Sequence, residues 1–161
     1  MSRLGIISDT HDNLDRAREA VEFFNRAGVE HVVHCGDIVA QFVLGELSRL
    51  AAPVSLIYGN CDGDRASLAA RAGELGFSIA DGPRELTIGG RRIIASHRPL
   101  EPAPDCDYYL CGHTHRAGHT PGRPAVINPG ECGGWLTGRS TVAVLDTDTG
   151  EVGIHELGAG A

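Results

Sequence analysis

The chain opens with a short β-branched run, RLGIISD at 3–9, that stops at polar residues as a buried strand does. Behind it Leu14, Ala17, Val21 and Phe24 recur at three- and four-residue spacing, which predicts a helix capped by Asp12 and closed by Gly28. The alternation repeats: EHVVHC (30–35) reads as strand, VAQFVLGELSRL (39–50) as helix, PVSLIYG (53–59) as strand and DRASLAARAGEL (64–75) as helix. That βαβαβα order predicts a parallel sheet.

After Gly76 the texture changes. The runs GFSIA, RELTIG, RRIIASH, DYYLCGH, PAVINPG, STVAVLDT and EVGIHEL are separated by Gly, Pro and Asp turns too short for crossover helices. This half is expected to be strand-rich and largely antiparallel. Neither half is large enough to stand alone, so the expectation is one α/β domain over 1–161, with two stacked sheets and helices outside. The closing GAGA is expected to fray.

Composition narrows the class. With 161 residues, 42% hydrophobic and 22% charged, the chain reads as a globular protein with a proper core. Its apolar runs fall well short of the ~20 residues a membrane helix needs, and the first residues enter a strand pattern at once, so neither a membrane span nor a signal peptide is expected. Five cysteines without CxxC spacing fit free thiols in a reducing cytoplasm. Cys35 and Cys111 read as small buried hydrophobes. A net charge of -7 argues against a broad nucleic-acid surface.

The strand ends carry the chemistry, as parallel α/β folds place their sites there. SDTH supplies Asp9 and His11, HCGD supplies Asp37, and YGNCD supplies Asn60, Cys61 and Asp62. IIASH then supplies His97, and YYLCGHTH supplies His113 and His115. In extended backbone, residues two apart project to one side, so Asp9/His11 and His113/His115 read as chelating pairs. Seven groups (Asp9, His11, Asp37, Asn60, His97, His113 and His115) exceed what one transition metal uses but suit two ions, with Asp37 as the bridge. His31, His34, His119 and His155 are read as ordinary histidines. Asp62 fits either a partner to a ligand histidine or a helix cap, and the cap is preferred.

In order and spacing, DTH (9–11), GD (36–37), GNCD (59–62), SH (96–97) and GHTH (112–115) resemble the signature of the calcineurin-like metallophosphoesterases. The small bacterial and archaeal YfcE-like phosphodiesterases are the nearest form, sharing GNCD and a later NPG at 128–130. The resemblance implies a four-layer αββα sandwich of two mixed sheets flanked by helices, with a dinuclear centre between the sheets. It assigns Asp9, His11, Asp37 and His115 to one metal, and Asp37, Asn60, His97 and His113 to the other. Three positions depart from the family pattern. Cys61 stands where a histidine is common, Arg98 where glycine is, and Glu131 where a small polar residue is expected.

Two divalent ions against two carboxylates leave a surplus of two positive charges, which draws in a small phosphoester. The expected reaction is phosphodiester hydrolysis by a metal-bridging hydroxide, attacking in line between ions ~3.5–4 Å apart. Asp37, Asn60, Cys61 and Arg98 are the candidates for a direct part in it. The donor set suits manganese first, partly on the resemblance, with iron, nickel and zinc also fitting. A phosphomonoesterase and a non-catalytic protein-interaction scaffold are the alternatives. The oligomeric state is left open, a homo-oligomer included.

Overall fold

A computed structural model describes residues 2–158. Residues 159–161, most of the tail expected to fray, lie outside them. The first half alternates as anticipated: β1 (Arg3–Ile7), α1 (Leu14–Ala27), β2 (His31–His34), α2 (Phe42–Leu47), β3 (Val54–Ile57) and α3 (Arg65–Glu74). Eight strands follow: β4 (Ser78–Ala80), β5 (Arg84–Ile88), β6 (Arg91–Ser96), β7 (Tyr108–Cys111), β8 (Gly118–Thr120), β9 (Ala125–Asn128), β10 (Thr141–Asp146) and β11 (Val152–Glu156).

Two mixed sheets result, ordered β11-β10-β1-β2-β3-β4 and β5-β6-β7-β9-β8. Alternation along each strand sorts side chains to the two faces. Ile7, Val32 and Leu56 turn outward to pack under Val21, Phe24, Leu44 and Leu68 of the helices. Leu4, Ile6, Val33 and Ile57 turn inward and meet Ile93, Tyr108, Leu110 and Ile127 of the second sheet.

Several expectations need correcting. The second half is antiparallel at β5–β6, β8–β9, β10–β11 and β1–β10, but not throughout: β4 joins β3 in parallel, and β6–β7 and β7–β9 are parallel pairs. The crossover from β6 to β7 is an irregular segment, not a helix. Pro99, Pro102 and Pro104 each remove a helical N–H donor and clash with a helical turn there. This segment supplies Leu100, Ala103 and Cys106 to cover Ile94, Tyr109 and Cys111 on the outer face of the second sheet. Thus the expected fourth layer is present as coil, and all three helices among the described residues lie over the first sheet. Strand β8, exposed throughout, has no apolar alternation to announce it. The cap of α1 is Asn13, whose side chain accepts from the Arg16 N–H at 3.2 Å, while Asp12 accepts from Ala40 N–H across the loops.

Candidate metal centre

The candidate ligands follow five strands, β1, β2 and β3 of the first sheet and β6 and β7 of the second. At five of the seven the backbone is not extended. Asp9, His11, Asp37, His113 and His115 hold φ of 53°, 40°, 61°, 68° and 63°. This left-handed region is disfavoured for residues with a Cβ and persists where surrounding structure imposes it. Same-side projection from an extended chain is therefore not what gathers them. Each loop instead coils back over its strand end, and the paired histidines part company, His115 toward Asp9 and His113 toward His97.

Neighbouring groups fix the orientations. The Asp9 Oδ2 atom accepts from Ser8 Oγ at 2.6 Å and from the His113 N–H at 3.0 Å, leaving Oδ1 turned to the cluster. Asp37 Oδ1 accepts from the Cys61 N–H at 2.8 Å, leaving Oδ2 free. The His97 Nδ1 atom lies 2.8 Å from the Cys35 carbonyl, to which only a protonated nitrogen can donate, so Nε2 is the ligating atom. Close approach constrains the loops: a side chain at Gly112 would collide with Ser8 Oγ, and one at Gly59 with the Asp37 carboxylate.

The free atoms converge. Asp9 Oδ1 stands 3.5 Å from His11 Nε2 and 3.3 Å from His115 Nε2. Asp37 Oδ2 lies 3.3 Å from His11 Nε2 on one side and 3.2 Å from His97 Nε2 on the other. Asn60 Oδ1 is 2.8 Å from His97 Nε2 and 3.0 Å from His113 Nδ1. Donor atoms bound about 2.1 Å from one ion stand roughly 3.0–3.4 Å apart, so these separations suit metal coordination. Asp9 Oδ1 and His11 Nε2 are also buried without a hydrogen-bond partner among the described residues, as atoms reserved for a cation would be. The residues fit a divalent ion in each half of the cluster.

Electrostatics agree. Burial works to raise the Asp37 carboxyl, but the neighbouring His11 and His97 imidazoles and the Cys61 N–H outweigh it and hold the group far below the usual range. Asp37, and then Asp9, push the His11 imidazole up to about 10. Two ionised carboxylates that raise a neighbouring imidazole in this way create a demand for positive charge, which a metal ion would meet.

Of the other residues singled out in the sequence, Cys61 is exposed at the pocket beside His11 and Asp37 rather than packed away. Its thiol is pushed up by burial and then by the Asp37 charge, so it is neutral near pH 7. Arg98 is exposed in an adjoining cavity with Asn60 and His97, and its guanidinium has no partner among the described residues. Asp62 does not cap α3, a role taken by Asp64. It is buried and accepts from the backbone N–H groups of Asp37 (3.0 Å), Gly59 (2.7 Å) and Val39 (2.7 Å), tying two ligand loops together. His34, fully buried, accepts from the Gly36 N–H at Nδ1 and reaches Thr10 Oγ1 with Nε2.

Sequence reasoning passed over Ser8, Trp135 and Leu136, and gave Glu131 no role. Glu131 is buried and accepts from Leu136 N–H and Thr137 N–H, with Oε1 3.2 Å from His115 Nδ1. Its one signal was a charged residue directly after the NPG turn.

The profile of the calcineurin-like phosphoesterase superfamily domain matches residues 2–150. The chain belongs to that superfamily. As a member it is a phosphoester hydrolase of a family that employs divalent metal ions. It is 39% identical over 158 residues to phosphodiesterase MJ0936 of Methanocaldococcus jannaschii, covering 92% of this chain and 95% of that protein. The solved structure of a novel archaeal phosphodiesterase superposes with a TM-score of 0.89 at 35% identity, covering 96% of this chain and 99% of that one. YfcE, a phosphoesterase from E. coli, shares the fold with a TM-score of 0.71 at 21% identity, covering 96% and 99%. No helix among the described residues is long and apolar enough to cross a membrane.

Proposed function

We propose that this chain, acting as one domain over 1–161, hydrolyses small phosphodiesters at a dinuclear divalent-metal centre. One metal would be held by Asp9, His11, Asp37 and His115, the other by Asp37, Asn60, His97 and His113. The observation that carries the reading is the position of Asp37 Oδ2, within 3.3 Å of a nitrogen from each group, where one oxygen can serve two ions. Bound there, the ions would supply Lewis acidity to the phosphoryl oxygens and to the attacking water. Manganese is the first choice for this imidazole, carboxylate and amide set, with iron, nickel and zinc next. Preference for diesters rests on likeness to the archaeal phosphodiesterase sequence and structure described above.

The chain's own residues set the rest of the chemistry. Ser8 and the His113 N–H hold Asp9, and the Cys61 N–H holds Asp37, so both carboxylates stay ionised and aimed. Arg98, beside His97 and without a partner among the described residues, would meet an anionic ester oxygen. The free thiols, Cys61 among them, support a reducing, cytoplasmic setting.

Asp37→Asn tests the assignment, because it keeps the shape of the side chain while weakening a ligand to both ions. Bound metal by elemental analysis should fall from two ions per chain to one or fewer, and hydrolysis of bis(p-nitrophenyl) phosphate should be lost. His119→Ala on exposed β8 is the control and should change neither. Two ions retained in Asp37→Asn would refute the shared-ligand reading.

A further inference from the structure

Beside the candidate ligands lies a cavity of about 340 Å³, one wall of which is apolar. Trp135 and Leu136 form that wall, in a lining shared with His11, Asp37 and Asn60, and they are 63% and 76% exposed. Exposure of two large apolar side chains together, at the mouth of a polar site, calls for an occupant. The segment carrying them is firmly held. The Cys132 N–H donates to the Ser8 carbonyl at 2.9 Å and the Gly133 N–H to that of Asp9 at 3.0 Å. Asn13 Nδ2 donates to the Gly133 carbonyl at 2.8 Å, and Glu131 takes the N–H groups of Leu136 and Thr137. The indole is fixed as well, its Nε1–H donating to the His11 carbonyl at 3.0 Å.

With its polar edge satisfied by the backbone of a candidate ligand, Trp135 has only its ring face left to offer. A π-face takes either a cation or another planar ring. With metals bound, the neighbouring site would draw an anionic ester by its positive surplus, which disfavours a cation next to it. The net charge of -7 likewise disfavours an anionic lipid surface as the occupant. We propose that Trp135 and Leu136 form a subsite for a planar ring, a nucleobase or an aryl group, carried by the phosphoester. The inference rests on the phosphodiesterase reading for the phosphate end and narrows the substrate class to ring-bearing esters.

Trp135 is the single tryptophan of the chain, so its emission reports this subsite directly. Metal-loaded protein would be titrated with adenosine 5′-monophosphate, phenyl phosphate, ribose 5-phosphate and adenosine, and the three phosphates compared as inhibitors of bis(p-nitrophenyl) phosphate hydrolysis. The ring-bearing phosphates should quench the emission saturably and inhibit roughly tenfold or more tightly than ribose 5-phosphate, as stacking on an aromatic side chain gives. A gain for adenosine 5′-monophosphate alone assigns the subsite to nucleobases, and one for phenyl phosphate alone to aryl groups. Trp135→Leu should bring the inhibition constants together with bound metal unchanged, and Trp135→Phe should preserve their ratio. Equal inhibition by ring-bearing and ring-free phosphates without quenching would overturn the proposal. So would an emission that changes with protein concentration before ligand is added, since that gives the ring to a second copy. Were no phosphate to bind while adenosine still quenched, the phosphodiesterase reading would fail and the ring subsite would stand.

Discussion

Glu131 Oε1 lies 3.2 Å from Nδ1 of His115, whose other ring nitrogen faces Asp9 Oδ1 at 3.3 Å. Both side chains are largely buried. A carboxylate behind a ligand histidine orients the ring and raises its basicity, and losing such a partner weakens metal binding about 10–100-fold. Glu131→Gln should weaken the metal proposed for Asp9, His11, Asp37 and His115 by that order, measured by chelator competition, while leaving the other proposed ion in place. Equal loss of both ions would assign Glu131 to the general integrity of the loop.

Asp62→Asn should destabilise the protein by roughly 1–3 kcal/mol, because the amide nitrogen must face at least one of the N–H donors the carboxylate accepts. Denaturant unfolding of the metal-free variant measures that cost. The loops carrying Asp37 and Asn60 lose their shared anchor, so metal affinity should drop as well. Unchanged stability would mean that the three N–H groups find other acceptors.

Cys61→Ala should retain both metals and lose less than a fewfold in turnover of bis(p-nitrophenyl) phosphate, whose leaving group departs without much protonation. Cys61→His places a better proton donor at the exposed edge of the pocket. General acid assistance is worth ~10²–10⁴-fold where the leaving group is poor, so that variant should gain most on alkyl monoesters. Abolished diester cleavage in Cys61→Ala, with metals bound, would make the thiol a direct participant.

Phe24→Ala tests the scaffold apart from the site. The ring is fully buried and fills the space above Gly5, where an added Cβ would come within 2.9 Å of it. Its removal should cost about 3–5 kcal/mol by denaturant unfolding, with metal content restored once the variant is folded.

The βαβ half was legible because each helix and strand carries its own period. Leu14, Ala17, Val21 and Phe24 mark one stripe of α1, and VVHC marks β2, without reference to any distant residue. The pairing of β6 with β7 was not legible, since a proline-rich crossover gives no helical period and only long-range packing decides parallel from antiparallel. In the candidate site, residue types at strand ends identified the groups that converge, yet the reason given for their convergence was wrong. Left-handed φ at Asp9, His11 and Asp37 follows from contacts such as Asp62 to the Asp37 N–H, a tie across 25 residues that no local pattern reveals. The place of Trp135 is illegible in the sequence for a similar reason. Its nearness to His11 spans 124 residues of chain.

Asp9, His11, Asp37 and Asn60 leave one sheet and His97, His113 and His115 the other, so ions held between them would act as rivets across the sandwich. Any ligand that binds only the folded form adds RT ln(1 + [L]/Kd) to its stability, about 2.7 kcal/mol at a hundred times Kd. The lifetime of the folded chain would then follow the supply of its metal. Scarcity would leave protein that opens along the seam between its sheets, where the inward faces of Leu4, Ile6, Leu110 and Ile127 become exposed to proteases and to one another.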